Sequence, residues 1–302
     1  NAFLRQGFEI EWLDIDKDSL TVEPKQLDDK ISDDVAAVVI VHLYGYMTKN
    51  IQKISETCKD HNIYLVEDCA QSLGAFLDGK HAGNFGDFAC FSFHSQKNLT
   101  TLGEGGMVVC SDNEDYNDFK ELRINGHFPF QDKKKYWLPA MVDVVETIPG
   151  VVPMKSTMNE SQALIGRLIL KRLNALLAKR RKYAMMFKDN VKSDIITFQK
   201  DIGEENHAHH LLPIRINSSK FDRDDLIEVL SSDYGINAIV QFYPLNRYHL
   251  FRSNSLSKGD LTQTDLFFDN MISVPFSPTL DESDIIYMVK SLNAALALLD
   301  SK

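Results

Sequence analysis

The first 112 residues alternate short apolar runs with amphipathic segments, and this alternation constrains the fold more than any other feature. The apolar runs lie at residues 35–43, 63–68, 88–93 and 105–112. Such runs are typical of strands buried on both faces. The segment at residues 51–62 predicts a helix with Ile51, Ile54, Ser55 and Cys58 on one face. Buried strands that alternate with helices predict an α/β fold with a largely parallel sheet.

The rest of the chain predicts a second, smaller domain. A chain of 302 residues is longer than one hydrophobic core usually serves. Residues 158–191 have apolar positions at intervals of three and four, which predicts a single long helix that joins two domains. The strand-like runs at residues 210–216 and 237–243 and the helical patterns around them indicate an α+β unit. We therefore expect a large domain at residues 1–178 and a small C-terminal domain at residues 179–302.

Charge and composition exclude several classes of partner. The formal net charge is −10 and no block of five or six basic residues occurs, so nucleic acid and anionic membrane surfaces are poor partners. No apolar run reaches the 18 residues that a membrane-spanning helix needs. The four cysteines show neither a paired framework nor ligand spacing, which indicates a reducing, cytoplasmic location and no metal site.

Two residues of opposite charge follow two of the predicted strands. Asp68 ends the run at residues 63–68, and Lys97 lies four residues beyond the run at residues 88–93. The carboxyl ends of parallel strands share one edge of a sheet, where ligand crevices form. An acid and a lysine at that edge are compatible with a plain ion pair as well as with a functional site.

The neighbours of this pair favour the functional interpretation. Gln71 and Ser92 belong to the same edge, and Glu104-Gly105-Gly106 allows a close approach of the backbone. An amine, a carboxylate, a hydroxyl and an amide suit pyridoxal 5′-phosphate (PLP), which needs a lysine for covalent attachment and a carboxylate for its ring nitrogen. We therefore predict PLP as the cofactor.

A long stretch of the sequence also resembles a known family. It is EDCAQSLGAFLDGKHAGNFGDFACFSFHSQKNLTTLGEGGMVV, residues 67–109, and it is similar to the core of the DegT/DnrJ/EryC1/StrS sugar aminotransferases. The similarity extends through VHLYGYMTKN and LRINGH and, more weakly, through INAIVQFYPLNRYHLF. The resemblance implies a PLP-dependent transferase of fold type I, with a large domain whose mostly parallel sheet lies between helices.

The resemblance also implies roles for individual residues. Lys97 matches the lysine that binds the cofactor and carries the proton between substrate and cofactor. Asp68 matches the acid that pairs with the ring nitrogen, Gln71 the residue that faces the phenolic oxygen, and Ser92 a phosphate ligand. Three histidines are candidate substrate contacts, although buried strand-end histidines would fit the pattern of the first two equally well: His42, His94 and His127.

The sequence departs from the family pattern in two places. The family continues upstream of the position of Asn1, with a phosphate-binding turn and a ring that stacks on the cofactor, and neither has a counterpart here. Family members also carry two polar or basic residues before the long helix, the first of which reaches the cofactor phosphate of the neighbouring subunit. Lys155 matches that first residue and implies a homodimer, whereas Thr157 replaces the second.

The expected reaction is transfer of an amino group, with glutamate as the donor, to a keto sugar for polysaccharide or other amino-sugar biosynthesis. The acceptor is either a nucleotide-linked sugar or a free sugar acid such as a keto-octulosonate. A PLP-dependent sugar dehydratase is one alternative, but such relatives replace the lysine by histidine. A non-catalytic sensor that binds PLP is another. A dinucleotide-binding dehydrogenase is disfavoured because no GxGxxG follows a predicted strand.

Overall fold

A computed structural model describes residues 1–126, 147–200, 205–253 and 257–301 of the chain. The predicted site residue His127 lies outside these ranges. The helices are α1 (Ala2–Arg5), α2 (Pro24–Asp28), α3 (Ile51–Asp60), α4 (Asn113–Leu122), α5 (Glu160–Leu170), α6 (Leu173–Asn190), α7 (Arg223–Tyr234), α8 (His249–Ser253), α9 (Thr262–Asn270) and α10 (Glu282–Asp300). The strands are β1 (Ile10–Glu11), β2 (Ala37–Val41), β3 (Tyr64–Asp68), β4 (Phe76–Leu77), β5 (Lys80–His81), β6 (Phe88–Ser92), β7 (Gly106–Cys110), β8 (Ile196–Phe198), β9 (Pro213–Ile216), β10 (Ser257–Lys258) and β11 (Met271–Ser273).

The main sheet has the strand order β2-β3-β6-β7. The first three strands are parallel, and β7 runs antiparallel to β6. Helix α3 connects β2 to β3 and buries the predicted face, formed by Ile51, Ile54, Ser55 and Cys58. The predicted α/β class with a largely parallel sheet is therefore confirmed.

The two faces of the main sheet differ in burial. Val38, Ile40 and Leu65 point to one face, where they pack into the core of the large domain with α3. The next residues along the strands point to the other face, where Val39 and Val41 remain 40% and 44% exposed. Because strand residues alternate between faces, Asp68 belongs to this more open face.

Strand β7 is more exposed than its apolar sequence predicts. Met107 and Val108 are 56% and 50% exposed, although they lie on opposite faces of the strand. The prediction of a fully buried strand at residues 105–112 is wrong, because side chains on both faces of β7, an edge strand of the sheet, are exposed.

The predicted single helix at residues 158–191 is two helices. Helix α5 ends at Leu170 and α6 begins at Leu173. The two halves pack against different surfaces. Gly166 of α5 lies against Thr101, where an added Cβ would come within 2.9 Å of the threonine Cγ2. Leu173 of α6 enters the core of the large domain.

The small domain contains the antiparallel sheet β11-β9-β8, and α7 and α10 pack on it. The predicted strand at residues 237–243 is wrong, because within the described chain only Ile239 of this segment pairs as in a sheet, with Ser273. The Gln241 peptide makes tertiary contacts instead, since its N–H donates to Met271 Sδ and its carbonyl accepts from the Tyr44 hydroxyl.

Helix α6 contributes to both cores. Leu173 and Leu177 pack in the core of the large domain, while Tyr183 and Phe187 pack in that of the small domain. The domain boundary that we propose between residues 178 and 179 falls between these two pairs. No helix in the described ranges is long and apolar enough to cross a membrane. All four cysteines are free.

The contact between Gly74 and α6 can be tested by substitution. Gly74 has a φ of +89°, and a Cβ there would overlap the side chain of Leu177. We expect Gly74→Ala to lower the free energy of unfolding by roughly 2–4 kcal/mol, from backbone strain together with overpacking. Gly79→Ala is the matched control, because Gly79 has a φ of +77° and no heavy atom within 4 Å of the added Cβ. The control isolates the backbone strain, which is about 1 kcal/mol. Equal losses of unfolding free energy in the two variants, measured by chemical denaturation, would contradict the contact between Gly74 and Leu177.

Candidate active site

Asp68 is the last residue of β3 and lies at the carboxyl edge of the parallel strands. Its backbone is paired with Val41 on one side and with Cys90 on the other. The carboxylate Oδ1 accepts a hydrogen bond from the N–H of Ala70 at 3.0 Å, which fixes the side-chain rotamer. The side chain is half-buried, so the carboxylate is held in place and remains accessible.

Lys97 lies on the loop that joins β6 to β7. Backbone hydrogen bonds close this loop, from Phe93 N to Gly105 O at 2.7 Å and from Ser95 N to Gly103 O at 2.8 Å. Burial lowers the pKa of Lys97, while the charge of Asp68 acts in the opposite direction. The structure thus brings the predicted lysine and the predicted acid within electrostatic reach of each other.

Ser92 ends β6, and His94 follows it on the same loop as Lys97. Ser92 lies on the same face of the sheet as Asp68, because its neighbour Cys90 at i−2 is paired with Asp68. The Ser92 hydroxyl accepts from the N–H of His94 at 3.3 Å. The His94 Nε2 is 3.8 Å from Glu104 Oε1, and the histidine ring is 39% exposed. A hydroxyl and a histidine therefore lie at the same edge as Asp68.

Gln71 connects this edge to the turn that follows β2. Its Oε1 accepts a hydrogen bond from the N–H of Tyr44 at 2.7 Å. Tyr44 has a φ of +61°, and this side-chain hydrogen bond supports the unusual backbone conformation. The Tyr44 ring stacks on Phe242 of the small domain with centroids 6.2 Å apart. No sequence pattern singles out Tyr44, because its role depends on tertiary contacts.

His42 does not belong to this group. Its side chain is fully buried, and its Nε2 lies 2.9 Å from Glu67 Oε2. Glu67 precedes Asp68 and therefore points to the opposite, covered face of the sheet. We correct the prediction of His42 as a substrate contact, because the imidazole is enclosed on the core side of the sheet.

Glu67 is a buried carboxylate whose hydrogen bonds are satisfied. Besides His42, it accepts from the backbone N–H groups of Gly83, Phe85 and Gly86 at 2.7–2.8 Å. Burial acts to raise the pKa of Glu67, but the hydrogen bond and charge of His42 and the backbone donors outweigh it. The pKa therefore lies below its ordinary value.

Glu67, His42 and Cys69 also have the composition of a metal site. Their potential ligand atoms lie within 4.8 Å of one another. However, each Glu67 oxygen already accepts two hydrogen bonds, which leaves little lone-pair density for a cation. Burial also raises the pKa of the Cys69 thiol, which disfavours the thiolate that a metal would bind. We assign these residues a structural role.

Lys155 is exposed and lies on an extended segment before α5. This segment pairs with the residues that follow α4, through a bridge between Lys155 and Ile124. Helix α5 in turn contacts the Lys97 loop, because Gln162 Nε2 donates to the carbonyl of Glu104 at 2.7 Å. Among the described residues, the structure records no contact of Lys155 with Asp68 or Lys97.

The histidine-rich run at residues 207–210 is buried. His210 is 5% exposed and lies close to the Lys97 loop. Its ring Nδ1 is 3.4 Å from Oδ1 of Asn98, the residue after Lys97. Burial, together with the positive charges of Lys97 and Arg180, lowers the pKa of His210 to about 3. A neutral imidazole therefore borders the candidate site.

The contribution of the Glu67 carboxylate to stability can be tested by substitution. We expect Glu67→Gln to lower the free energy of unfolding by roughly 3 kcal/mol at pH 7, because an amide nitrogen would face backbone donors. The pKa of Glu67 is lowered in the folded state, so its contribution is present above the ordinary value of 4.5 and is lost as the pH falls below it. The difference between the two proteins should therefore shrink below that pH.

Glu104→Gln is the matched control for this measurement. The Glu104 side chain is 84% exposed, so the substitution should change the stability by less than about 0.5 kcal/mol. Chemical denaturation at several pH values measures both variants. A difference between wild type and Glu67→Gln that persists unchanged to pH 3 would contradict the role of the Glu67 carboxylate.

Several proteins of known name are similar to this chain along most of its length. It is 27% identical to the GDP-perosamine synthase of Escherichia coli O157:H7, over 97% of this chain and 74% of that protein. It is also 27% identical to a pleiotropic regulatory protein of Geobacillus stearothermophilus, over 96% of this chain and 73% of that protein.

The fold has close counterparts among solved structures. The Helicobacter pylori aminotransferase PseC superposes with a TM-score of 0.86 at 24% identity, over 98% of this chain and 76% of that chain. The Streptococcus pneumoniae protein Spr1654, described as its PMP form, superposes with a TM-score of 0.83 at 22% identity, over 95% of this chain and 76% of that chain. These likenesses confirm the predicted transferase fold.

A family model gives the assignment directly. The model of the DegT/DnrJ/EryC1/StrS aminotransferase family matches residues 1–293, which includes both domains and every predicted site residue. The resemblance and the enzyme class inferred from the sequence are thereby confirmed. The chain belongs to the DegT/DnrJ/EryC1/StrS aminotransferase family.

Proposed function

We propose that this chain is a PLP-dependent sugar aminotransferase whose reacting groups are Lys97 and Asp68. One observation carries the proposal. A half-buried lysine with a lowered pKa lies within electrostatic reach of a carboxylate, at the carboxyl edge of a parallel sheet. In this family of aminotransferases, a perturbed lysine beside an acid at that edge is the expected position of a covalent cofactor.

The residues present fit PLP by the chemistry of their donors. Lys97 offers an amine, and the lowered pKa makes more of it neutral and nucleophilic near neutral pH. Oδ1 of Asp68 accepts a hydrogen bond from the N–H of Ala70. Oδ2 has no hydrogen bond within the described residues and is therefore available to accept one from the N–H of the cofactor ring. Ser92 offers a hydroxyl on the same face of the sheet. An amine, a carboxylate and a hydroxyl are the groups that the cofactor requires.

The proposed mechanism gives each residue a role. Bound PLP would supply an electrophilic carbon and an electron-withdrawing ring. Lys97 would hold the cofactor through Nζ and would carry the proton at that same atom. Asp68 would keep a proton on the ring nitrogen. Gln71, held against Tyr44, would bind at the phenolic oxygen, and Ser92 would contribute to phosphate binding.

We propose a keto sugar as the amino acceptor and glutamate as the donor, in the cytoplasm. The support comes from relatives whose names include GDP-perosamine synthase and a dTDP-3-amino-3,6-dideoxy-alpha-D-galactopyranose transaminase. A sugar attached to a nucleotide is therefore favoured over a free sugar acid. His94 and His127 remain proposed substrate contacts, the first because its ring is partly exposed beside Lys97.

A second candidate function is a regulatory protein that binds PLP without turnover. The similarity to the pleiotropic regulatory protein of Geobacillus stearothermophilus motivates it. The two functions differ in one measurement, the conversion of the bound cofactor to its amino form when glutamate is added. The aminotransferase undergoes this half-reaction and the sensor does not.

We also propose a homodimer in which Lys155 reaches the cofactor phosphate of the partner subunit. Exposed apolar side chains support an interface on this side of the molecule. They lie on α5 and on the segment before it and include Val152 at 86%, Met154 at 63%, Leu164 at 56% and Leu168 at 46% exposure. Obligate dimers bury large apolar surfaces of this kind.

The role of Lys97 is tested by covalent trapping. We expect the purified full-length protein to bind PLP with a visible absorption band, and borohydride to fix the cofactor on Lys97. Lys97→Ala should remove the adduct, whereas Lys80→Ala, which changes an exposed lysine on β5, should not. Peptide mass spectrometry locates the adduct, and its presence on another lysine would contradict the proposal.

The role of Asp68 is tested by the half-reaction with glutamate. Asp68→Asn should still bind PLP but slow the half-reaction by at least about a hundredfold, because an amide does not hold the ring nitrogen protonated. Single-turnover absorbance changes measure the rate. A rate close to that of the wild type would remove Asp68 from the mechanism.

The shared site is tested by complementation. Lys97→Ala and Lys155→Ala should each be impaired, but their mixture should regain activity, because one of the two sites in a hybrid dimer carries both lysines. Lys171→Ala is the matched control, since Lys171 is an exposed lysine at the other end of α5. Sedimentation as a monomer, or unchanged cofactor affinity in Lys155→Ala, would contradict the proposal.

A further inference from the structure

The segment at residues 206–211 is held firmly against the large domain. The N–H of Ala208 donates to Gly45 O and that of His210 donates to Tyr44 O, both at 2.9 Å. Arg180 of α6 adds hydrogen bonds from Nη1 to the carbonyls of His209 and His210, at 3.0 and 3.2 Å. The backbone of His210 is therefore fixed from two sides.

The His210 ring is in turn directed at the Lys97 loop. Asn98 Nδ2 donates to the carbonyl of Ala208 at 3.3 Å, which sets the orientation of the Asn98 amide. Its Oδ1 then faces His210 Nδ1 at 3.4 Å. Since an amide oxygen only accepts, Nδ1 carries the hydrogen and donates it, and Nε2 of the neutral ring is an acceptor.

We propose that His210 is a positioning residue for Lys97. Through Asn98 it fixes the turn on which Lys97 lies, and its neutral ring closes that side of the turn without adding positive charge. The proposal rests on the proposed role of Lys97 as the lysine that binds PLP. It assigns the small domain a direct part in preparing this lysine.

The surroundings of Lys97 define what the loss of His210 would change. The carboxylate of Asp68 lies on the β3 side, while His94 and Glu104 belong to the same loop as Lys97. His210 approaches from the small domain, with Arg180 behind it. Without the contact to Asn98, the turn is free to move outward and Lys97 gains solvent. The pKa of Lys97 should then rise toward its ordinary value. As a result, a smaller fraction of the Lys97 amine would be neutral near neutral pH.

The experiment measures the reactivity of Lys97 in the cofactor-free, full-length protein. Trace acylation at several pH values, followed by peptide mass spectrometry, gives the pKa of Lys97. We expect His210→Leu to raise this pKa by about one unit, which lowers the acylation rate at pH 8 about tenfold. His210→Asn should stay within about twofold of the wild type, because the amide nitrogen of asparagine replaces Nδ1 as the donor.

His209→Asn is the matched control. His209 is buried in the same segment and stacks on His207 with ring centroids 3.9 Å apart. It has a φ of +44°, which asparagine tolerates. Loss of this stack should leave the pKa of Lys97 unchanged. An equal rise in His209→Asn and His210→Leu would show a general packing effect and overturn the proposal.

Asn98→Ser tests the same contact from the large domain. The Asn98 side chain is half-buried and should tolerate replacement, so this variant serves if His210→Leu fails to fold. We expect a rise in the pKa of Lys97 at least as large as in His210→Leu, because Asn98→Ser removes the contact with His210 and the one with the Ala208 carbonyl. The double variant should show no further rise beyond Asn98→Ser, since the contact with His210 is already lost. An unchanged pKa in Asn98→Ser, or additive rises in the double variant, would overturn the proposal. These outcomes are distinct from failure of the proposed function, in which wild-type Lys97 is not trapped with PLP.

Discussion

The buried carboxylate of Glu67 determines how the active-site edge is arranged. It accepts hydrogen bonds from His42 at the end of β2 and from three backbone N–H groups in the turn at residues 83–86. Because successive strand residues point to opposite faces, a fixed Glu67 on the covered face also fixes Asp68 on the open face. Removing one partner of such a buried, hydrogen-bonded pair is costly, so the acid beside the cofactor site has a rigid support.

Two other contacts join the small domain to this edge. Tyr44 connects Gln71 to the carbonyl of Gln241, and Arg180 holds the carbonyls that precede β9. Arg180 is 6% exposed and stacks over Phe276, and burial lowers its pKa to about 10. Its charge is thus balanced by carbonyl dipoles and an aromatic face rather than by a recorded acidic partner in the described chain. The residues around Lys97 therefore come from both domains.

Local patterns of the sequence were sufficient where local physics decides the structure. The apolar spacing of α3 and the apolar runs of β2, β3 and β6 predicted the elements that bring Asp68 and Lys97 to one edge. The sequence did not reveal the break between α5 and α6, because residues on both sides of it favour helix. It also did not show which face His42 occupies, or that His210 approaches Asn98 across more than a hundred residues of chain.

The position of α6 in both cores has a consequence for cooperativity. Its first turns carry Leu173 and Leu177 into one core, and its later turns carry Tyr183 and Phe187 into the other. If one core melts, the end of α6 that packs in it is free to unwind. Unwinding of α6 then withdraws large side chains from the other core as well, so neither core keeps its full packing alone. The two domains should behave as one thermal unit, and neither could be excised within α6 without exposing apolar surface to aggregation.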